Sequence, residues 1–280
     1  MKRLLAAALI LVMALSLFTG CESEPTKSAS DTSGSTAVSG WDYVKDKGEL
    51  IMGLDASFAP MGFKDDAGNI VGFDVDLANE VAAQLGIKIK LQPIDWDAKE
   101  LELSSKRIDC IWNGMSITEE RQKNMALSQA YMNNKIIIMG KDADKITKLD
   151  DLKGKKITTQ AESSALDALK ASEIYNDVKD NVTEFKSYDE CILDLEAGRA
   201  ELMIVDQVLG EYKNSLRDAD KKLTAAAIDF GDDLYAIGCR KGETDLVAKL
   251  ESGIRAAIAN GKAKEISEKW FGTDLVLPIK

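Results

Sequence analysis

A strand–helix–strand pattern that recurs in register limits this chain's fold more than any other feature. Trp96-Asp97, a helix, and the run Arg107 to Gly114 align without a gap with Tyr188-Asp189, a helix, and the run Arg199 to Asp206. Upstream of each, an apolar strand ends in polar residues: Glu49 to Leu54 leads into Asp55, and Lys155 to Thr159 leads into Gln160 to Ser164. Strands alternating with helices build βαβ units and a mainly parallel sheet. The doubled pattern predicts an α/β chain of two lobes of like construction. Between the first strands, Val75, Leu77, Ala78, Val81, Ala82 and Leu85 recur at helical spacing, with Gly86 in the place that ends a helix. Ile87 to Leu91 alternates as a strand, Ala98 to Leu103 reads as a second helix, and Thr244 to Ala259 as another.

The stretch Asp109 to Arg121 is the most informative one chemically. Cys110, Ile111 and Trp112 form a short buried strand, Asn113 to Ser116 a polar turn, and Thr118 the N-cap of a helix starting at Glu119. A strand feeding a helix start presents free backbone N–H groups, which attract anions. Arg121 in the first helical turn works against the helix dipole. Its planar fork suits a carboxylate, although the spacing equally allows a surface pair with Glu119 or Glu120.

The N-terminus reads as an export signal: Lys2 and Arg3, an apolar run from Leu4 to Phe18, and then Leu17-Phe18-Thr19-Gly20-Cys21, which resembles the lipobox of bacterial lipoproteins. That resemblance makes residues 1–20 a signal peptide and Cys21 a lipidated anchor to the cell membrane, on the extracytoplasmic side. Residues 21–40 hold Ser, Thr and Gly with few large apolar side chains, and read as a flexible tether. The whole chain has a formal charge of −11 and no basic run, which argues against nucleic acid as a partner. It has no histidine, so neither a zinc site nor a Ser-His or Cys-His nucleophile is expected, and no metal or cofactor. Cys110, Cys191 and Cys239 are far apart without metal spacing; at most one disulfide can form among them.

Gly114, the run Ser116-Ile117-Thr118 and Arg121 resemble the carboxylate-binding segment of the extracellular polar amino-acid receptors of ABC importers (solute-binding protein family 3). The similarity extends from Trp41 to Leu275. It implies a two-lobe periplasmic-binding-protein-like fold of type II, with a ligand cleft between lobes joined by two hinge strands. Residues 41–134 would form lobe one, 135–228 lobe two, and 229–280 the return to lobe one. The hinge strands are read at Lys135 to Gly140 and Ala226 to Gly238, and Trp270 and Phe271 as packing of the closing helix. The resemblance gives Arg121 the ligand's α-carboxylate and Asp206 its α-ammonium, with Ser163 bonding the carboxylate. Asp55, Phe58 and Trp96 fall at positions that touch the ligand side chain. Asn113, Gly114, Ser116 and Gln160 complete the contact set. The chain departs from the family at Ala161, where Gly is frequent, and at Glu162, where a small residue is frequent.

In open parallel sheets, ligands bind beyond the carboxyl ends of strands, where these segments stand. Two aromatic faces with a carboxylate nearby suit a flat cation through cation–π stacking and a charged hydrogen bond. A neutral amide such as glutamine also suits Asp55; an anionic side chain suits it poorly. The expected protein is a monomeric, lipid-anchored receptor that takes a polar, preferably basic, free L-amino acid to an ABC permease. A dehydratase resembling cyclohexadienyl dehydratase is the rival on the same fold, needing a general acid for which Glu162 is the one candidate. An added role as adhesin or sensor is compatible with the same domain.

Overall fold

The alternation of strand and helix is realised twice, as two five-stranded sheets. The computed structural model describes residues 39–280; the signal segment, Cys21 and the linker up to residue 38 lie outside the described residues. Lobe one begins with α1 (Gly40–Lys47), β1 (Glu49–Leu54), the short strands β2 (Ser57–Phe58), β3 (Gly62–Lys64) and β4 (Ile70–Val71), and α2 (Phe73–Leu85). It continues with β5 (Lys88–Pro93), α3 (Lys99–Ser104), β6 (Cys110–Ile111), α4 (Glu119–Asn124) and β7 (Met125–Leu127). Lobe two holds β8 (Met132–Gly140), β9 (Ile157–Gln160), α5 (Ser164–Ala171), α6 (Tyr175–Val178) and β10 (Val182–Phe185). Then follow α7 (Tyr188–Glu196), β11 (Leu202–Asp206), α8 (Gln207–Ser215) and β12 (Thr224–Tyr235). The chain returns to lobe one with β13 (Gly238–Arg240), α9 (Thr244–Ala259) and α10 (Lys262–Phe271).

The first sheet has the order β5-β1-β6-β13-β7 and the second β10-β9-β11-β8-β12. In each, three parallel strands joined by helical crossovers lie beside two antiparallel ones. These are the two lobes of like construction that the doubled pattern predicted, in the type II binding-protein architecture that the family resemblance implied. The local signals act as read. α2 buries Val75, Leu77, Ala78, Val81 and Ala82, and Gly86 stops it in the left-handed conformation at φ 70°. The structure adds a cap not read from the sequence: Ser187 and Glu190 close a capping box at the start of α7.

The two long strands β8 and β12 pair antiparallel inside lobe two's sheet. The boundaries read at 134/135 and 228/229 therefore fall within strands. The chain passes between sheets over residues 128–131 and 236–237. The C-terminal tail lies on the first of these crossings: Leu277 N–H donates to the Tyr131 carbonyl at 2.8 Å, and Val276 bridges Met132. α10 is fastened to lobe one by Phe271 against Phe73, ring centroids 5.1 Å apart, and by Trp270 Nε1, which donates to Asp76 at 2.8 Å. Cys110, Cys191 and Cys239 are buried, free thiols.

Candidate functional site

Four segments end parallel strands at the same face of the molecule. Asp55 follows β1, Asn113 and Gly114 follow β6, Gln160 ends β9 and Asp206 ends β11. The crossovers turn these ends of the two sheets toward each other. Phe58, Trp96, Gly114, Ser116, Arg121, Gln160, Ser163, Ser164 and Asp206 enclose a cavity of about 10 Å³ between the lobes. That is the room of one water, so a larger guest enters only when the lobes part. A groove of about 880 Å³ lies at the other end of lobe two's sheet, beside Lys155, Glu201 and Arg217. Several of its charges pair with one another, as Lys155 does with Glu201 at 2.9 Å, and none of the expected site residues lines it.

One pole of the cleft is cationic. Thr118 caps α4 by accepting from Arg121 N–H, and the Arg121 side chain folds inward to 4 % exposure. Nη1 donates to the Ser116 carbonyl at 2.9 Å and Nη2 to the Glu162 carbonyl, across the cleft, at 3.3 Å. Its guanidinium carbon lies 5.8 Å from the Trp96 ring centroid. Arg121 makes no ion pair with Glu119 or Glu120; Glu119 is taken by Lys123. Burial pulls the guanidinium pKa down, while Asp167, Asp233 and Asp206 oppose this. Ser163 caps α5: its hydroxyl donates to the Gln160 carbonyl at 2.7 Å and accepts from Leu166 N–H at 3.1 Å. Its side chain is thus engaged by the protein, and what it turns to the cavity is a helix N-terminus.

The other pole is anionic. Asp206 accepts from Tyr235 Oη at 2.9 Å and from Asn134 Nδ2 at 2.8 Å. Asn134 Nδ2 also donates to Asp233 at 2.9 Å, and Ser116 Oγ donates to the same Asp233 oxygen at 2.6 Å. Burial, and then the neighbouring Asp233 charge, push the Asp206 carboxyl up to about 7, against the Tyr235 bond and Arg121. A cation placed here would relieve that strain.

Gly114 joins the poles. Its φ of 55° is left-handed, and a Cβ would stand 2.9 Å from the Phe58 ring and 3.2 Å from that of Tyr235, so only glycine fits. Its N–H donates to Asp74 Oδ2 at 2.7 Å, and Tyr131 Oη donates to the same oxygen at 3.0 Å. Asn113 supports rather than lines the cavity: its Oδ1 accepts from Asp55 N–H at 2.9 Å. Asp55 likewise lies just behind the lining, its carboxylate accepting from Ser57 N–H, Ser57 Oγ and Gln160 Nε2. Phe58 and Trp96 are buried walls, and Phe58 meets Tyr188 with ring centroids 6.0 Å apart.

Sequence reasoning overlooked Asn134, Asp233, Tyr188, Tyr235 and Lys99. Asn134 shares the inward side of β8 with the apolar Met132 and Ile136, two positions to either side. Lys99 stands three residues after Trp96 and four before Leu103, on the face those residues bury. Among the described residues no cluster of His, Cys, Asp and Glu could hold a metal ion.

Residues 50–273 match the model of the bacterial extracellular solute-binding proteins, family 3. The chain is 30% identical over 237 residues to the L-cystine-binding protein TcyJ of Escherichia coli (strain K12), spanning 83% of this chain and 86% of that one. It is 30% identical over 230 residues to an L-arginine-binding protein of Pseudomonas aeruginosa, spanning 80% and 88%. Among solved structures, an ABC uptake transporter substrate-binding protein from Streptococcus pneumoniae with bound histidine superposes with a TM-score of 0.82 at 34% identity. That match covers 86% of this chain and 99% of the other.

Proposed function

Since the chain belongs to family 3 of the bacterial extracellular solute-binding proteins, we propose that it captures a polar L-amino acid outside the cytoplasm and delivers it to an ABC permease. It is a solute-binding transport protein and not an enzyme. One observation carries the reading of the ligand: Arg121 and Asp206, both buried and of opposite charge, come from opposite lobes to line one cavity. A free amino acid carries the complementary charges on one carbon. Arg121, with the N-terminus of α5, takes the carboxylate; Asp206 and Ser116 take the ammonium. Neither lobe satisfies the ligand alone, so binding favours the closed state by its differential affinity. Closure pivots on residues 128–131 and 236–237.

The side chain runs between Phe58 and Trp96 toward Asp55, which favours a basic one. Glutamine is the second reading, because Asp55 already accepts from an amide NH₂, that of Gln160. Relatives named for cystine and arginine, and a similar structure with bound histidine, support a polar ligand and leave its side chain open. The protein acts as a monomer, held at the membrane by lipid on Cys21. Thermal melts with each of the twenty amino acids and L-cystine test the reading. A ligand raises Tm as its excess over Kd grows; a flat response across the whole panel would contradict it.

A further inference from the structure

Lys99, the first residue of α3, is 4 % exposed although it is a lysine. Its ammonium has three N–H donors, and a single acceptor takes one of them: the Glu162 carbonyl of lobe two, at 3.1 Å. That is the carbonyl to which Arg121 Nη2 donates at 3.3 Å. Both cations also face one aromatic ring, Lys99 Nζ 5.2 Å and the Arg121 guanidinium carbon 5.8 Å from the Trp96 centroid. Glu162 presents its carbonyl to them from a left-handed backbone, φ 55°, unusual for a residue with a side chain. Among the described residues no carboxylate ion-pairs with either cation.

Two buried, adjacent positive charges with one shared carbonyl are unfavourable unless an anion joins them. The Lys99 pKa is lowered to about 8, by burial first and by Arg121 second; Glu162, Glu100 and Asp167 favour the charged form without offsetting those two. The contact to Glu162 exists only when the lobes are together. Closure thus brings both cations out of water at the pole where a carboxylate would lie.

We propose that Lys99 is a second cation of the carboxylate pole, a specificity determinant that makes closure depend on a ligand carrying a free α-carboxylate. The proposal rests on the amino-acid reading above. Arg121 grips the carboxylate, and Lys99 adds field behind it through the Glu162 loop. A neutral group in the carboxylate's place would leave both charges buried and uncompensated, so the cleft would stay open around it.

The test is the ratio of affinities for an acid and its amide: L-arginine against L-argininamide, and L-glutamine against L-glutaminamide, by calorimetry at mildly acidic pH. In the wild type the acid should win strongly. In Lys99→Met the ratio should fall by about tenfold, with Lys99→Gln giving the same comparison should the Met variant not fold, and Lys99→Arg should keep the wild-type ratio. If Lys99 only packs against Trp96, acid and amide weaken together; an unchanged ratio would overturn the proposal. Failure of the wild type to bind either acid would defeat the amino-acid reading and this proposal with it, an outcome distinct from binding with an unchanged ratio.

Discussion

Gln160 Nε2, at the end of a lobe-two strand, donates across the cleft to Asp55 Oδ2, at the end of a lobe-one strand, at 2.8 Å. Ser57 occupies the other oxygen through its N–H and hydroxyl. Asp55 therefore keeps only part of Oδ2 for a ligand, and a guanidinium or ammonium that reached it would bring its own charge to a buried carboxylate. Arginine or lysine should bind better than glutamine, and glutamate hardly at all. A charged hydrogen bond exceeds a neutral one by about 1 kcal/mol, several-fold in affinity. Competition calorimetry at fixed ionic strength, repeated in Asp55→Asn, checks this. The variant should lose most of the preference for arginine; an unchanged ranking would place selectivity elsewhere.

Asp74 is completely buried, and burial pushes its carboxyl up to about 7 although Tyr131 and the Gly114 N–H favour the carboxylate. Between its ordinary value of 3.8 and about 7, the folded protein holds a proton that the unfolded chain has released. Stability from this group is complete below that window and is lost as pH rises through it, by at most ~1.4 kcal/mol per pH unit. Asp206 contributes with the same sign. Asp74→Asn, neutral and of the same shape, should flatten the fall in Tm between acidic and neutral pH. A slope equal to the wild type's would show that Asp74 does not titrate there.

The sequence made the frame legible because its signals are local. Gly86 and Thr118 each act within one turn, and the apolar run Leu202 to Val205 is a buried strand. The family resemblance, carried by polar residues that follow such strands, named Arg121, Gln160 and Asp206. What was not legible depends on contacts between residues distant in the chain. The spacing puts Lys99 on the buried face of Trp96 and Leu103, but its acceptor, Glu162, lies 63 positions away in the chain. Asp233 becomes part of the anionic pole only because β12 pairs with β8 and brings Asn134 beside it. Asn113 and Ser163 read as ligand contacts from their place in a motif, while their side chains bond Asp55 N–H and cap α5.

Closure should be visible in solution. The interlobe bonds from Lys99 to Glu162 and from Gln160 to Asp55 exist only with the lobes together. Small-angle scattering should show a smaller radius of gyration with saturating ligand. Hydrogen exchange at residues 160–166 should slow. An unchanged radius and unchanged exchange would argue for a static pocket.

Anchoring rests on Cys21. A single acyl chain binds membranes only marginally, and the diacylglycerol carried by a lipoprotein cysteine gives stable attachment. Cys21→Ala protein should leave the membrane fraction. Equal partitioning of variant and wild type would remove the lipid from the account.

The zwitterion clamp between Arg121 and Asp206 is the central claim, and calorimetry with L-arginine on the wild type, Arg121→Ala and Asp206→Ala tests it most directly. Each truncation removes the ion-pair partner of one charged group of the ligand, which typically costs ~2–5 kcal/mol, or tens- to thousands-fold in affinity. The account predicts binding by the wild type and loss of that size in both variants, with the folded state retained in thermal melts. Near wild-type affinity in either variant would contradict it.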